Sequence, residues 1–173
     1  IAFSAPREND APMVIDMSLS KVARGKVMVA NQQDEKIPEG WAIDSDGKPT
    51  TDPKKALEGA MLPIGDAKGS ALALMVEILA AGLTGSNFGF EASSFLNAEG
   101  DSPGVGQLII AIDPSFFAGD QFSERTETMV SSILDQPSTR LPGNKRLEKR
   151  KLRESSQSIT ISKELFEKIS SIS

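Results

Sequence analysis

Pro12-Met13-Val14-Ile15-Asp16-Met17-Ser18 sets an apolar run, Met13 to Met17, around a single carboxylate. A short run of this kind predicts a buried strand that carries one acidic group. From Ser18 the pattern changes to Ser18-Leu19-Ser20-Lys21-Val22-Ala23-Arg24-Gly25, which predicts a cap and a short helix leaving that strand. Asp16 is the first functional candidate. Its structural alternative is a capping or turn carboxylate.

Downstream, residues 31–51 form a long polar connection with Pro38, Gly40, Gly47 and Pro49, anchored by Trp41. Asp44-Ser45-Asp46-Gly47 reads as a reverse turn, since it lacks the ligand spacing and closing glutamate of a calcium loop. Asp52 before Pro53 predicts a capped short helix. Leu72, Met75, Val76, Leu79 and Leu83 recur every three or four residues, so a helix buried on much of its circumference is expected over Gly69–Leu83. Lys68-Gly69-Ser70 at its start offers backbone donors and a cation to a phosphate or carboxylate, or is a plain glycine turn. Residues 84–104 read as an excursion packed by Phe88, Phe90 and Phe95.

Gln107-Leu108-Ile109-Ile110-Ala111-Ile112-Asp113-Pro114 predicts a buried strand ended by aspartate and proline. A second helix is expected over Ser123–Gln136, with Thr126, Met129, Val130, Ile133 and Leu134 on its apolar face. Pro137 and Pro142-Gly143 then break the chain. The basic run Asn144 to Arg153 is open to two readings, an anion site or the solvated face of a helix, and its lack of interleaved aromatics argues against nucleic acid. Leu165, Phe166 and Ile169 give a Ser162-capped terminal helix a docking face.

The 173 residues suffice for a medium domain with a sizeable core, and 39% apolar with 25% charged residues describe an ordinary globular chain. The net charge of -5 gives no global case for nucleic-acid binding. Cysteine is absent, which excludes disulfides, thiolate catalysis and sulfur-ligated zinc within the chain. Histidine is absent too, so proton transfer near neutral pH must use other groups or a residue from elsewhere. The longest apolar stretch, Ala71–Leu83, includes Glu77 and is too short for a membrane span. A cytoplasmic enzyme is expected, and the start at Ile1 reads as a cut through an element.

In order along the chain stand Ala5-Pro6-Arg7, Pro12-Met13-Val14-Ile15-Asp16-Met17-Ser18-Leu19-Ser20, Ala23-Arg24-Gly25-Lys26, Ile37-Pro38-Glu39-Gly40-Trp41-Ala42, Leu62-Pro63-Ile64-Gly65, Lys68-Gly69-Ser70 and Arg140-Leu141-Pro142-Gly143. This succession resembles the C-terminal half of the malate/L-lactate dehydrogenase family, over essentially the whole chain. The resemblance implies an α/β, nonstandard NAD(P)-binding fold with a large mixed, mainly antiparallel sheet flanked by helices. It implies a cofactor-binding and catalytic portion over 1–144 and a helical docking segment over 145–173.

The resemblance also implies site residues. Asp16 supports an acid/base histidine supplied by an upstream segment or a companion chain. Pro12, Met13, Val14, Ile15, Asp16, Met17 and Ser18 form one NADP or NAD contact, Ala67 and Lys68 a second, and Gly143, Asn144 and Lys145 a third. No metal is implied. Lys68-Gly69-Ser70-Ala71-Leu72 together with Gln107–Pro114 is similar to the cyclic-imino-acid reductases of the family, which act on delta-1-piperideine-2-carboxylate or delta-1-pyrroline-2-carboxylate. A malate- or lactate-type 2-hydroxy acid is the alternative substrate, and a noncatalytic partner-binding fragment the alternative role. The complete enzyme is expected to be a homodimer acting on a small carboxylate, without nucleic acid or membrane.

Overall fold

The computed structural model describes residues 1–96 and 100–172, so part of the excursion over 84–104 and the last position of the docking segment lie outside the described residues. The chain divides into two compact units. One comprises Ile1 and Met17–Asp113, the other Ala2–Asp16 and Pro114–Ser173.

The first unit is built on a short helix pair over a small sheet. Helix α1 (Arg24–Gln32) and helix α2 (Pro53–Glu58) pack Val27 and Ala56 into a core with Val22, Ile37 and Ala42. Trp41 lies against this core, as its isolation in a polar loop implies. Asp52 caps α2 by accepting from the backbone N–H of Lys54 and Lys55, with Pro53 at the first helical position where no N–H is needed. Strands β3 (Ala42–Ile43), β4 (Pro49–Thr50) and β5 (Ala60–Met61) form an antiparallel sheet in the order β4-β3-β5. Between β3 and β4, Asp44 closes the expected reverse turn: its side chain accepts from the N–H groups of Asp46 and Lys48.

Helix α3 (Asp66–Glu77) continues into one π-helical turn (Ile78–Gly82), so the helix expected over Gly69–Leu83 is present but begins earlier. Its burial is not as the periodicity implies. Leu74, Met75, Ile78, Leu79 and Leu83 are all exposed, because no element among the described residues of this unit covers that side. The run Gln107–Pro114 likewise takes no strand conformation, and Ile109, Ile110 and Ile112 are exposed. A strand is defined by its place in a ladder, and residues 107–112 belong to neither of the sheets among the described residues. Phe88 stacks on Phe90 with ring centroids 5.8 Å apart, but Phe90 and Phe95 are exposed and anchor no core.

In the second unit, β1 (Ala2–Ala5) pairs antiparallel with β2 (Met13–Asp16), Ala2 opposite Asp16 and Ala5 opposite Met13. Helix α4 (Ser115–Ala118) leads into α5 (Gln121–Leu134), the amphipathic helix that the spacing predicts. Its Val130 joins Ala5, Met13 and Leu141 in a core that Phe122 and Ile133 border. Helices α6 (Asn144–Ser156) and α7 (Lys163–Ser170) follow, and neither buries a side chain. Ser162 caps α7 as expected, its hydroxyl accepting from Leu165 N–H at 3.2 Å.

The sheets among the described residues are therefore one pair and one triplet, both antiparallel. The α/β class is as expected, while the large mixed sheet is not assembled within the two units. Leu141 is 2% exposed beneath β1, β2 and α5. Leu141→Ala removes all of that side chain beyond Cβ from a small core and is expected to cost about 2–4 kcal/mol, read as a lower urea midpoint at unchanged slope.

Candidate functional site

The chemistry expected at Asp16 begins with how β2 ends. Asp16 is its last residue, with its side chain half exposed, and the chain passes straight into Met17. Arg146, one turn into α6, reaches back over 130 residues and places both terminal guanidinium nitrogens 3.1 Å from Asp16 Oδ2. No donor among the described residues engages Oδ1. The carboxylate is thus oriented by one oxygen and keeps the other as an acceptor.

What carries Arg146 there is the turn before α6. Leu141 is sunk in the core, Pro142 follows, and Gly143 takes φ +82°, a left-handed conformation that favours glycine. A Cβ on Gly143 would lie 3.0 Å from the carbonyl oxygen of Val14. The backbone therefore passes directly over β2, and α6 starts from that point. The structure thereby brings together two of the expected cofactor segments, Pro12–Asp16 and Gly143-Asn144-Lys145. Along α6, Lys145, Arg146, Lys149, Arg150, Arg153 and Glu154 line an open groove of about 450 Å³. Glu154 is bound to Arg150 Nε at 2.8 Å, so the groove stays cationic at its start.

In the other unit, Met17 and Ser18 lead into a segment that pairs with the entry to α3. Lys21 N–H donates to Leu62 O at 2.7 Å, Ile64 N–H donates to Leu19 O at 2.8 Å, and Ser20 bridges Pro63. Gly65 and Asp66 both take positive φ and turn the chain into the helix that carries Ala67 and Lys68. Gly69 is not a turn residue: it is buried within α3, where a Cβ would sit 1.5 Å from Ile64 O. These backbone bonds tie the segment just after Ser18 to the one just before Ala67 and Lys68. Both segments belong to a different unit from Asp16 and Gly143.

Sequence reasoning did not single out Arg146. The basic run supplies many cations, and only the turn at Gly143 selects the one that meets Asp16. It also missed Arg7 as a structural ion. Arg7 Nε and Nη2 bind the two oxygens of Glu127 at 2.9 and 2.8 Å, while Nη1 binds Asp10 at 3.0 Å. The hydrogen bond to Glu127 raises the Arg7 pKa further, and the same bond holds the Glu127 carboxyl below its ordinary range. Asp10 is lowered chiefly by the Ala11 N–H that it accepts and then by the charge of Arg7. This triad closes the connection from β1 to β2 onto α5.

Comparison with known proteins adds a frame to this geometry. The sequence profile described as malate/L-lactate dehydrogenase matches residues 1–170. The (2R)-3-sulfolactate dehydrogenase (NADP(+)) of Chromohalobacter salexigens is 58% identical over 146 residues, covering 84% of this chain and 44% of that protein. The Delta(1)-pyrroline-2-carboxylate/Delta(1)-piperideine-2-carboxylate reductase of Pseudomonas syringae pv. tomato is 45% identical over 147 residues, covering 84% of this chain and 43% of that protein. The crystal structure of delta1-piperideine-2-carboxylate reductase from the same organism superposes with a TM-score of 0.86 at 40% identity, over 99% of this chain and 52% of that one. The chain spans about half the length of the relatives it matches.

Glu127 and Asp10 are both lowered on folding, so they stabilise the fold above the unfolded carboxylate range, and that contribution is lost as pH falls through their folded values. The expected outcome is a drop in urea midpoint on going below about pH 4. In Glu127→Gln the midpoint at pH 7 is lower and the drop is shallower. An unchanged pH profile in that variant would show the pair to be inert.

Proposed function

We propose that this chain, which belongs to the malate/L-lactate dehydrogenase family, is the cofactor-binding portion of an NAD(P)-dependent oxidoreductase acting on a small carboxylate substrate. The observation that carries the reading is the joining of Asp16 to Arg146 beside the Gly143 turn, which sets a candidate acid/base helper next to a cationic helix start. In this reading Pro12–Ser18, Ala67, Lys68 and Gly143-Asn144-Lys145 contact NADP or NAD. The residues fit such a group. The close approach of Gly143 to Val14 leaves backbone rather than side chain at the turn, and Lys145 with its neighbouring arginines suits phosphates. When bound, the reduced nicotinamide supplies the hydride.

The chain's own share is orientation and proton control. Oδ1 of Asp16 is placed to accept the N–H of an imidazole, fixing its tautomer and favouring the protonated ring, while Arg146 keeps the carboxylate from turning away. Because the chain has no histidine, that imidazole comes from a further segment of the protein or a companion chain, and the chain alone is inactive. Residues 145–173 serve as a helical docking segment, their two helices having no buried side chain of their own. The complete enzyme is a homodimer in this reading, and a cytoplasmic one. No helix among the described residues is long and apolar enough to cross a membrane.

For substrate, the proposal is a cyclic imino acid such as delta-1-piperideine-2-carboxylate or delta-1-pyrroline-2-carboxylate, supported by the similarity to enzymes named for those reductions. A second reading, a 2-hydroxy acid dehydrogenase, is favoured by the 58% identity to a sulfolactate dehydrogenase. Both reactions place hydride transfer beside a carboxylate.

Turnover of the completed enzyme on a cyclic imine and on 2-keto acids, sulfopyruvate among them, with NADPH and NADH decides between them. Keto-acid reduction without imine reduction selects the second reading. Asp16→Asn in that enzyme is expected to leave the melting temperature within a few degrees and to lower turnover by about 10²–10⁴-fold. Unchanged turnover in a folded variant removes Asp16 from the mechanism.

A further inference from the structure

Strands β1 and β2 are four residues each, and their side chains leave open how they align. Ala5 faces Met13, and both enter the core with Val130 and Leu141. Phe3 faces Ile15 two residues further along, and alternation puts this pair on the same side of the sheet. Register is strongly specified where a slip turns apolar side chains out to water, but a slip of two residues keeps every side chain on its own face. The connection over 6–12 does not settle the alignment either, since only a short, tight turn imposes one on the strands it joins. At the crossing, Gly143 meets the carbonyl oxygen of Val14, a group that recurs on that side of the strand every second residue.

Yet the candidate site depends on one alignment. A slip of two residues carries a strand about 7 Å along its axis, whereas Asp16 Oδ2 stands 3.1 Å from both terminal nitrogens of Arg146. Arg7 supplies the constraint. Its Nε and Nη2 hold the two oxygens of Glu127 on α5 at 2.9 and 2.8 Å, and its Nη1 holds Asp10 at 3.0 Å. Asp10 also accepts the Ala11 N–H at 2.7 Å, close to the start of β2. One guanidinium thereby links α5 to the entry of β2. The Arg7 side chain is 12% exposed, whereas those of Asp16 and Arg146 are 52% and 70% exposed, so the fork is the better shielded ion pair and the one able to impose a position. A lysine ammonium, a point charge on a flexible stem, cannot hold two carboxylates in fixed directions as the planar fork does.

We propose that Arg7 is a positioning residue for the Asp16 carboxylate, which it serves by joining Asp10 to Glu127 and so holding β2 in the register where Asp16 meets Arg146. The bonds of Arg7 go to Glu127 and Asp10, so its influence on Asp16 travels through the backbone of the strand. Loss of the fork frees β2 to slide on an apolar face that accepts Ile15 in the place of Met13. Asp16 then leaves Arg146, and the orientation of its Oδ1 is lost. What Asp16 does in the reaction rests on the proposed function; how β2 is aligned does not.

The test combines register and rate. In Arg7→Met, nuclear Overhauser contacts between Ala5 and Met13 and between Phe3 and Ile15 of this chain are expected to fade. In the completed enzyme at saturating cofactor and substrate, the same variant is expected to lower kcat by about 10–100-fold. In an Asp16→Asn background it should change kcat by less than about twofold, because a residue that acts through Asp16 has nothing left to position there. Arg7→Lys should not restore the rate. Asp10→Asn, an exposed site whose change leaves the fork on Glu127 intact, should show the same pattern with a smaller loss, and it carries the test if Arg7→Met does not fold. Equal losses of kcat in both backgrounds would make Arg7 a general stabiliser and overturn the proposal. Intact cross-strand contacts in Arg7→Met overturn it too and leave the oxidoreductase reading standing. Lost contacts with unchanged kcat overturn it and count against Asp16 in the proposed function as well.

Discussion

Gly143 crossing Val14 is the constraint on which the candidate site depends. A residue with a side chain would meet the Val14 carbonyl oxygen and would also be strained at φ +82°. Leu141, two residues earlier, fastens the approach by filling the core between β1, β2 and α5. Helix α6 consequently starts above the strand that ends in Asp16, and its third residue, Arg146, is delivered to the carboxylate. The ion pair itself is exposed and contributes little stability. Its orientation follows from packing that lies outside the pair.

A separate ion pair performs a different task. Arg7 is largely enclosed and matches its planar fork to both oxygens of Glu127, which makes it a fixed joint rather than a surface decoration. It ties the connection before β2 to α5, so the strand bearing Asp16 is restrained from its other end as well. Asp16 is thereby held between two anchored stretches of backbone without being buried.

Much of the local structure was legible in the residues. The Asp52-Pro53 and Ser162 caps, the Asp44 turn, the role of Trp41 and the amphipathic helix through Val130 all follow from short-range rules, because each depends on atoms within a few positions. The match between Asp16 and Arg146 was not legible, since a run of six cations in ten positions from Asn144 to Arg153 does not say which one a distant turn will select. Periodicity foresaw the apolar stripe of α3 and the composition of 107–112 but not their burial. Burial is a property of what packs against a segment, and hydrophobic pattern reports only what a segment would accept. The family resemblance supplied the order of motifs and the expectation of a large sheet, while the described units hold a strand pair and a triplet.

Gly69 sets a limit on how this sequence can drift. With Ile64 O at 1.5 Å from the place a Cβ would take, no other amino acid fits α3 at that position unless the helix slides off the segment that feeds it. Ile64 is the residue whose N–H binds Leu19, so such a slide would pull on the chain immediately after Ser18. Position 69 is therefore a fixed point in the coding sequence even though its residue has no side chain with which to do chemistry. It fixes in turn where the backbone of Lys68 beside it stands.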